Sequence, residues 1–180
     1  MISLLYDEIA PQYDALFQTD AARAENADLF NLIGNLSADS VLDVGCGTGL
    51  VLDYTCPRCY TGIDPSPRMI AALKDKHPAA KVACTPLQMF DAPVQYDVVL
   101  ALFGVGSYLS DCELLRLPTL MAPGGRFLVM FYRNGYIPQT YRATGVHCPS
   151  RPYSPHLLTG QVTPFGEFII VTQQNKPRPE

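Results

Sequence analysis

The chain has 180 residues, 48% of them hydrophobic and 17% charged, with a formal net charge of −4. This length and composition fit one globular domain, 1–180, with a sizeable core, and exclude a disordered chain. Lysine and arginine are scattered singly, which offers nothing to nucleic acid or an anionic membrane, and no apolar run approaches the roughly 20 residues that span a bilayer.

The N-terminus reaches Asp7 and Glu8 without a basic stretch and does not read as a signal peptide. Between residues 6 and 17 aromatics stand at Tyr6, Tyr13 and Phe17. Tyr13 and Phe17 share a face if the segment is helical, and Pro11 divides it into two short pieces. A helix follows from about Asp20 to Leu36, with Asp20 as N-cap and Leu29, Phe30, Leu32 and Ile33 as its apolar face.

Val41 to Val44 is a short apolar run that carries one acid, Asp43, near its carboxyl end, the pattern of a buried parallel strand. Gly45, Gly47 and Gly49 follow at alternate positions. They allow a sharp turn and let a ligand lie against bare backbone. A short helix, Thr48 to Tyr54, comes next. A dinucleotide fingerprint requires G-x-G-x-x-G facing pyrophosphate. Here the spacing is G-x-G-x-G, and Asp43 would suit a cation or an ammonium group better than a pyrophosphate. Cys56 and Cys59 form a C-x-x-C, but no second pair follows at ligand spacing, so no metal site is expected. The six dispersed cysteines suit reduced thiols in a cytoplasmic protein.

Tyr60 to Asp64 reads as the second strand, and its terminal acid can accept hydrogen bonds from ribose hydroxyls, as nicotinamide enzymes also arrange. Ser66 caps the next helix, Pro67 opens it, Met69, Ile70 and Leu73 face inward, and His77-Pro78 stops it. Lys81 to Cys84 and Tyr96 to Phe103 read as the third and fourth strands. Ser110 and Glu113 form a capping box. Met121 to Arg126 turns into a fifth strand, Phe127 to Phe131. Seven of the 16 prolines lie after residue 136. Beyond them Phe165 to Thr172 reads as one strand with Gly166 at its start, and a partner is expected at Thr144 to His147 or Leu157 to Val162.

D-V-G-C-G-T-G-L, residues 43–50, resembles motif I of class I S-adenosylmethionine-dependent methyltransferases. Y-D-x-x-A-x-x-Y-D-x-x-F at 6–17 resembles the N-terminal motif that closes over cofactor and substrate in many small-molecule members. G-I-D-P-S-P-x-M-I at 62–70 resembles the second motif, Tyr96-Asp97-Val98-Val99 the fourth-strand motif, and L-x-A-P-G-G-R-F at 120–127 the turn before the fifth strand. The resemblance implies an α/β, Rossmann-like doubly wound sheet, mostly parallel with an antiparallel C-terminal strand or hairpin, in the order 3-2-1-4-5-7-6. It further implies methyl transfer from S-adenosylmethionine to a small-molecule acceptor. The cofactor would be held by Tyr13, Asp43, Gly45, Cys46, Gly47, Gly49, Asp64, Pro65, Met69, Thr85, Leu87, Ala101 and Phe103, with Tyr13 toward the methionine end. Tyr6, Phe17, Tyr108 and Tyr132 would meet the substrate, with Tyr136 and Tyr141 in the same region. Thr85 and Pro86 depart from the acid and small residue common beside the adenine edge, which leaves adenine to the Leu87 backbone and to packing by Leu87 and Met69. Gly104 to Leu109 lacks the N-P-P-Y type of loop, which counts against DNA adenine and protein glutamine acceptors. Asp14, Tyr13, His147 and His156 are candidate general bases, none of them assigned. Two other readings stay open: a binding module that uses the cofactor without catalysis, and a nicotinamide-dependent oxidoreductase, which Asp43 and the glycine spacing oppose.

Overall fold

A computed structural model describes residues 2–138, 145 and 150–175. Seven strands form one sheet in the order β3-β2-β1-β4-β5-β7-β6: β1 (Ser40–Val44), β2 (Cys59–Asp64), β3 (Lys81–Cys84), β4 (Tyr96–Ala101), β5 (Met121–Tyr132), β6 (Gln161–Phe165) and β7 (Phe168–Gln174). Strands β1 to β5 pair in parallel, and β7 runs antiparallel to both β5 and β6. The helices are α1 (Ile2–Ile9), α2 (Asp20–Ile33), α3 (Leu50–Tyr54), α4 (Pro67–Lys76) and α5 (Asp111–Arg116). None among the described residues is long and apolar enough to cross a membrane.

Strand alternation sorts the core into two layers. Leu42, Val44, Val99, Phe127 and Phe131 pack with Leu114 of α5 on one face. Val41, Val98, Leu100, Leu128 and Met130 pack with Leu29 and Ile33 of α2, Val51 of α3 and Leu73 of α4 on the other. The central strands are covered on both sides and therefore read as continuous apolar runs rather than alternating ones. The chain order reverses between β1 and β4, and open α/β sheets bind ligands in the crevice that this reversal leaves at the carboxyl ends.

The local signals hold with small shifts. Thr19, not Asp20, caps α2, its Oγ1 accepting from the Ala22 N–H at 3.2 Å. Two adjacent residues of capping type compete there, and Asp20 enters the first turn, where an acid suits the helix dipole. The helix ends at Ile33 with Gly34 at positive φ, three residues before Leu36. The Ser110–Glu113 capping box forms in both directions.

Three expectations are corrected. The fifth strand begins at Met121, and Gly124-Gly125 is an irregularity inside it, where the pairing with β4 shifts between Tyr96 and Val98. A Cβ on Gly125 would come within 2.9 Å of the Asp97 and Ala122 carbonyl oxygens, so only glycine lets these strands approach. The stretch Phe165 to Thr172 is not one strand. Gly166, at φ 51°, and Glu167 turn β6 into β7. The partner is thus Gln161–Phe165, overlapping the second of the two expected places, while Tyr141 and, apart from Gly145, the stretch Thr144 to His147 lie outside the described residues. The fourth strand also ends at Ala101, two residues early.

Candidate active site

A cavity of about 400 Å³ opens at the carboxyl ends of β1, β2 and β4, a size usual for small-molecule sites. Its floor is the glycine turn. Gly45 and Gly47 have φ of 71° and 50°. A Cβ on Gly45 would sit 2.6 Å from Val105 Cγ2, whereas Gly47 faces open space on the cavity wall. The turn is a bare-backbone cradle in a conformation that side chains resist.

Asp64 ends β2 beside it. Its Oδ2 accepts from the Gly47 N–H at 3.0 Å and its Oδ1 from the Ser66 N–H at 2.8 Å, so one carboxylate fixes both the turn and the start of α4. Burial nevertheless pushes its pKa up to about 6 against those two amides. Each oxygen keeps a lone pair for a ligand hydroxyl.

Asp43 is placed differently from the expectation. It lies on the same sheet face as Asp64, since it pairs with Gly62 two residues earlier in β2. Its carboxylate, however, does not reach the cavity wall. Oδ2 accepts from Tyr60 Oη at 2.8 Å, and only 2% of the residue is exposed. Gly62 is the physical reason. A Cβ there would stand 2.9 Å from both Tyr60 Oη and Cys46 Sγ, so the missing side chain leaves room for the Tyr60 ring to fold over β2 onto Asp43. Burial raises the Asp43 pKa to about 7, against the lowering effect of the Tyr60 hydrogen bond. Burial first, then the Asp43 and Asp64 charges, pushes the Cys46 thiol far up, and it stays protonated.

The N-terminal segment closes one side. After α1, short 3-10 turns at Ala10–Gln12 and Asp14–Phe17 carry Tyr13 and Phe17, whose ring centroids are 5.1 Å apart, with Tyr6 6.0 Å from Tyr13. Ile9 and Ala10 dock on Met69. Asp7 Oδ1 accepts from Ser66 Oγ at 2.6 Å and from the Arg68 N–H at 3.1 Å. Asp14 accepts from Thr48 Oγ1 and pairs with Lys76 at 2.9 Å, and Lys76 in turn pairs with Asp53 at 2.9 Å. Asp14 is thus a tether, not a base. Burial and then the Asp64 charge push the Tyr13 phenol up, so it too is protonated at neutral pH. His156 is exposed and off the wall, and His147 lies outside the described residues.

Opposite the lid, Phe103 is held at φ 52°, a left-handed backbone rare for a bulky residue. Its carbonyl accepts from Tyr132 Oη at 3.2 Å, and its N–H meets Met130 Sδ at 3.4 Å. Strain of about 1–3 kcal/mol is typical of such positions and clusters at functional sites. Tyr132 stacks near Tyr108, Tyr136 and Phe168.

Of the residues singled out from sequence, Tyr6, Tyr13, Phe17, Gly45, Cys46, Gly47, Asp64, Pro65, Met69, Thr85, Leu87, Phe103, Tyr108 and Tyr132 share this wall. Ala101 does not. It is fully buried in the core on the α5 face, because the strand ends there and the chain turns Leu102 and Phe103 inward instead. Gly49 does not either. It caps α3, and a Cβ there would meet Leu73 at 2.9 Å. Sequence reasoning missed Glu25 and Asn26 of α2 and Glu167 of the β6–β7 turn, which the fold brings to the same wall. Their signal was weak: two polar residues on a helix and one at a turn that was read as strand.

A family model described as a methyltransferase domain matches residues 42–127. No curated protein matches the chain in sequence. Among solved structures, the N-methyltransferase NodS from Bradyrhizobium japonicum WM9, in complex with S-adenosyl-L-homocysteine, is similar at 20% identity over 89% of this chain and 90% of that one, with a TM-score of 0.65. DesVI from Streptomyces venezuelae is similar at 23% identity over 71% and 60%, TM-score 0.56. CalS10 from Micromonospora echinaspora, an amino pentose methyltransferase solved with S-adenosylmethionine, is similar at 26% identity over 72% and 51%, TM-score 0.50. The chain therefore spans about three-fifths and one half of the last two proteins. The matched segment, just under half of the chain, holds the glycine cradle, Asp64 and the turn before β5, and the seven-strand order is that of the Rossmann-like methyltransferase fold.

Proposed function

We propose that the protein, acting as a single domain, transfers a methyl group from S-adenosylmethionine to a small-molecule acceptor by in-line displacement. The observation that carries this reading is the charge of the cavity. Its ionisable acids are Glu25, Asp64, Glu113 and Glu167, and no lysine, arginine or histidine among the described residues joins them. A pyrophosphate would meet carboxylates without a compensating cation, which opposes a nicotinamide dinucleotide. A ligand with a sulfonium and an ammonium fits acids and aromatic faces alike, the latter supplying about 0.5–2 kcal/mol of cation–π attraction.

In this reading Asp64 holds the ribose hydroxyls, Thr85 and Leu87 border adenine, and Met69 packs beneath it. Gly45, Cys46 and Gly47 carry the methionine portion, with Tyr13 and Phe103 on its flanks. Asp43 acts through its charge from beneath the turn rather than by contact. The cofactor supplies an activated methyl on its sulfonium, so the chain's share is to orient the acceptor and exclude water. Such positioning accounts for up to about 7–11 kcal/mol in well-aligned reactions. The lid tethers at Asp7 and Asp14 and the ring wall around Tyr132 serve that end. Tyr6, Phe17, Tyr108 and Tyr132 would face the acceptor. The small-molecule class draws support from the amino pentose acceptor of CalS10. The cavity's acids also speak against a nucleic-acid partner, and a cytoplasmic location is part of the same proposal.

Calorimetric titration with S-adenosyl-L-homocysteine and, separately, with NAD tests the reading. Saturable binding of the first and none of the second is expected. The reverse pattern would show that the site was misread. Binding without methyl transfer to any acceptor would favour a non-catalytic module.

A further inference from the structure

Two of the cavity's four acids have assigned work. Asp64 is held by backbone amides, and Glu113 accepts from Ser110 and from the Gln88 N–H. Glu25 and Glu167 are different. One comes from α2 and the other from the β6–β7 turn, and the Glu25 carboxylate lies directly against that turn: a Cβ on Gly166 would overlap Glu25 Oε1. Neither carboxylate has an ion-pair or hydrogen-bond partner among the described residues. Burial, and then repulsion from Glu167, raises the Glu25 pKa, as expected of two acids facing one space with no cation between them.

A second and independent observation sits one residue along α2. Asn26 is 8% exposed, borders the cavity, and has no hydrogen-bond partner among the described residues. Its side-chain amide is not sealed in the core but opens onto the cavity, where a ligand can pair with it. It is retained here on the wall of a ligand cavity, beside Phe165 and Phe168. An unsatisfied amide, an unneutralised acid pair and aromatic faces together define a ligand group that is cationic, donates several hydrogen bonds and carries apolar surface.

We propose that Glu25, Glu167 and Asn26 form the acceptor subsite and that it selects a protonated aliphatic amine on a ring-sized carrier. The inference rests on the methyl-transfer reading, whose acceptor it specifies. The Glu25–Glu167 pair neutralises the ammonium charge, and Asn26 Oδ1 accepts one of its N–H groups. An ammonium nitrogen has no lone pair to give. The same pair therefore takes one proton from it, leaving a neutral amine and one carboxylic acid, and this transfer readies the nitrogen as a nucleophile. A hydroxyl acceptor of the same shape offers neither the charge nor the proton.

The test uses the full chain loaded with S-adenosyl-L-homocysteine and two probes of matched shape, cyclohexylamine and cyclohexanol, with binding followed by ligand-observed NMR and calorimetry at pH 7.5. The amine is expected to bind at least tenfold more tightly than the alcohol. The E25Q/E167Q variant should lose that preference while still binding S-adenosyl-L-homocysteine saturably. Asn26→Leu should weaken the amine about three- to tenfold. Radiolabelled S-adenosylmethionine should label cyclohexylamine and not cyclohexanol. Equal binding of the two probes, binding of neither, or an undiminished preference in E25Q/E167Q overturns the acceptor assignment and leaves the cofactor reading standing. No binding of S-adenosyl-L-homocysteine by the parent removes both.

Discussion

Asp64→Asn isolates the residue on which the cofactor assignment turns most sharply. Asparagine keeps one oxygen and is nearly isosteric, so the Ser66 N–H at 2.8 Å retains an acceptor. The amide NH2 then faces the Gly47 N–H, now 3.0 Å from a carboxylate oxygen, and the turn loses an anchor. A ligand hydroxyl also loses a charged acceptor, worth about 1.5–3 kcal/mol. The expected result is an S-adenosyl-L-homocysteine Kd raised roughly 10- to 150-fold at pH 8. Stability should change little, because removal of a buried charge offsets the lost anchor. The pH dependence gives an internal check. With its pKa pushed up to about 6, the parent carboxyl is ionised at pH 8 and largely protonated at pH 5. Parent affinity should therefore fall by up to about tenfold from pH 8 to pH 5, narrowing the gap to the variant. Calorimetry at pH 5, 6 and 8, with thermal melts by circular dichroism, measures all of this. A variant that melts normally and binds within threefold of the parent at pH 8 would refute the assignment.

Three further outcomes follow from particular contacts. Asp43 has its pKa raised from 3.8 to about 7, so its contribution to stability is full below pH 4 and is lost as pH rises through 7. The ligand-free parent should thus melt lower at pH 8 than at pH 5, and Asp43→Asn should flatten that slope in scanning calorimetry. Tyr60→Phe, which strips the 2.8 Å hydrogen bond from the Asp43 carboxylate, should destabilise by about 1–3 kcal/mol at pH 8, read from urea titration. Phe103→Gly should leave the melting temperature near or above the parent's, because glycine accepts a φ of 52°, while cofactor affinity drops about tenfold through the lost ring; equal loss of both would point to a purely structural role.

Much of the parallel half was legible because its signals are local. Ser66 followed by Pro67, the Ser110–Glu113 box and the acid at the end of β2 depend on residues a few positions apart. The failures share the opposite character. Phe165 to Thr172 is apolar on both sides of Gly166-Glu167, and an unbroken apolar run does not reveal a turn whose residues are held by a partner strand. The place of Asp43 depended on Tyr60 crossing the vacancy at Gly62, a relation between neighbouring strands rather than between neighbouring residues. Glu25 and Glu167 were invisible for the same reason at greater range: their proximity exists only once α2 and the last hairpin have met on the sheet. Ala101 was expected on the wall by resemblance to the fourth-strand motif alone, and which face it takes is set by the packing of β4 against the α5 layer, which that motif does not encode.

The two lid tethers end on a single rod. Asp7 grips the first turn of α4 and Asp14 its last residue, Lys76, positions separated by about 15 Å along ten helical residues. A strap buckled at both ends of a stiff bar can release at either end alone, and then swings about the buckle still fastened. The Asp14–Lys76 pair is exposed and contributes only about 0.3–1 kcal/mol, whereas Asp7 holds the buried Ser66 hydroxyl beside Ile9 and Ala10 packed on Met69, so the Asp14 buckle is the weaker of the two. The segment is therefore built to give way first at the carboxyl end of the bar, with the packed Ile9 and Ala10 as its fulcrum.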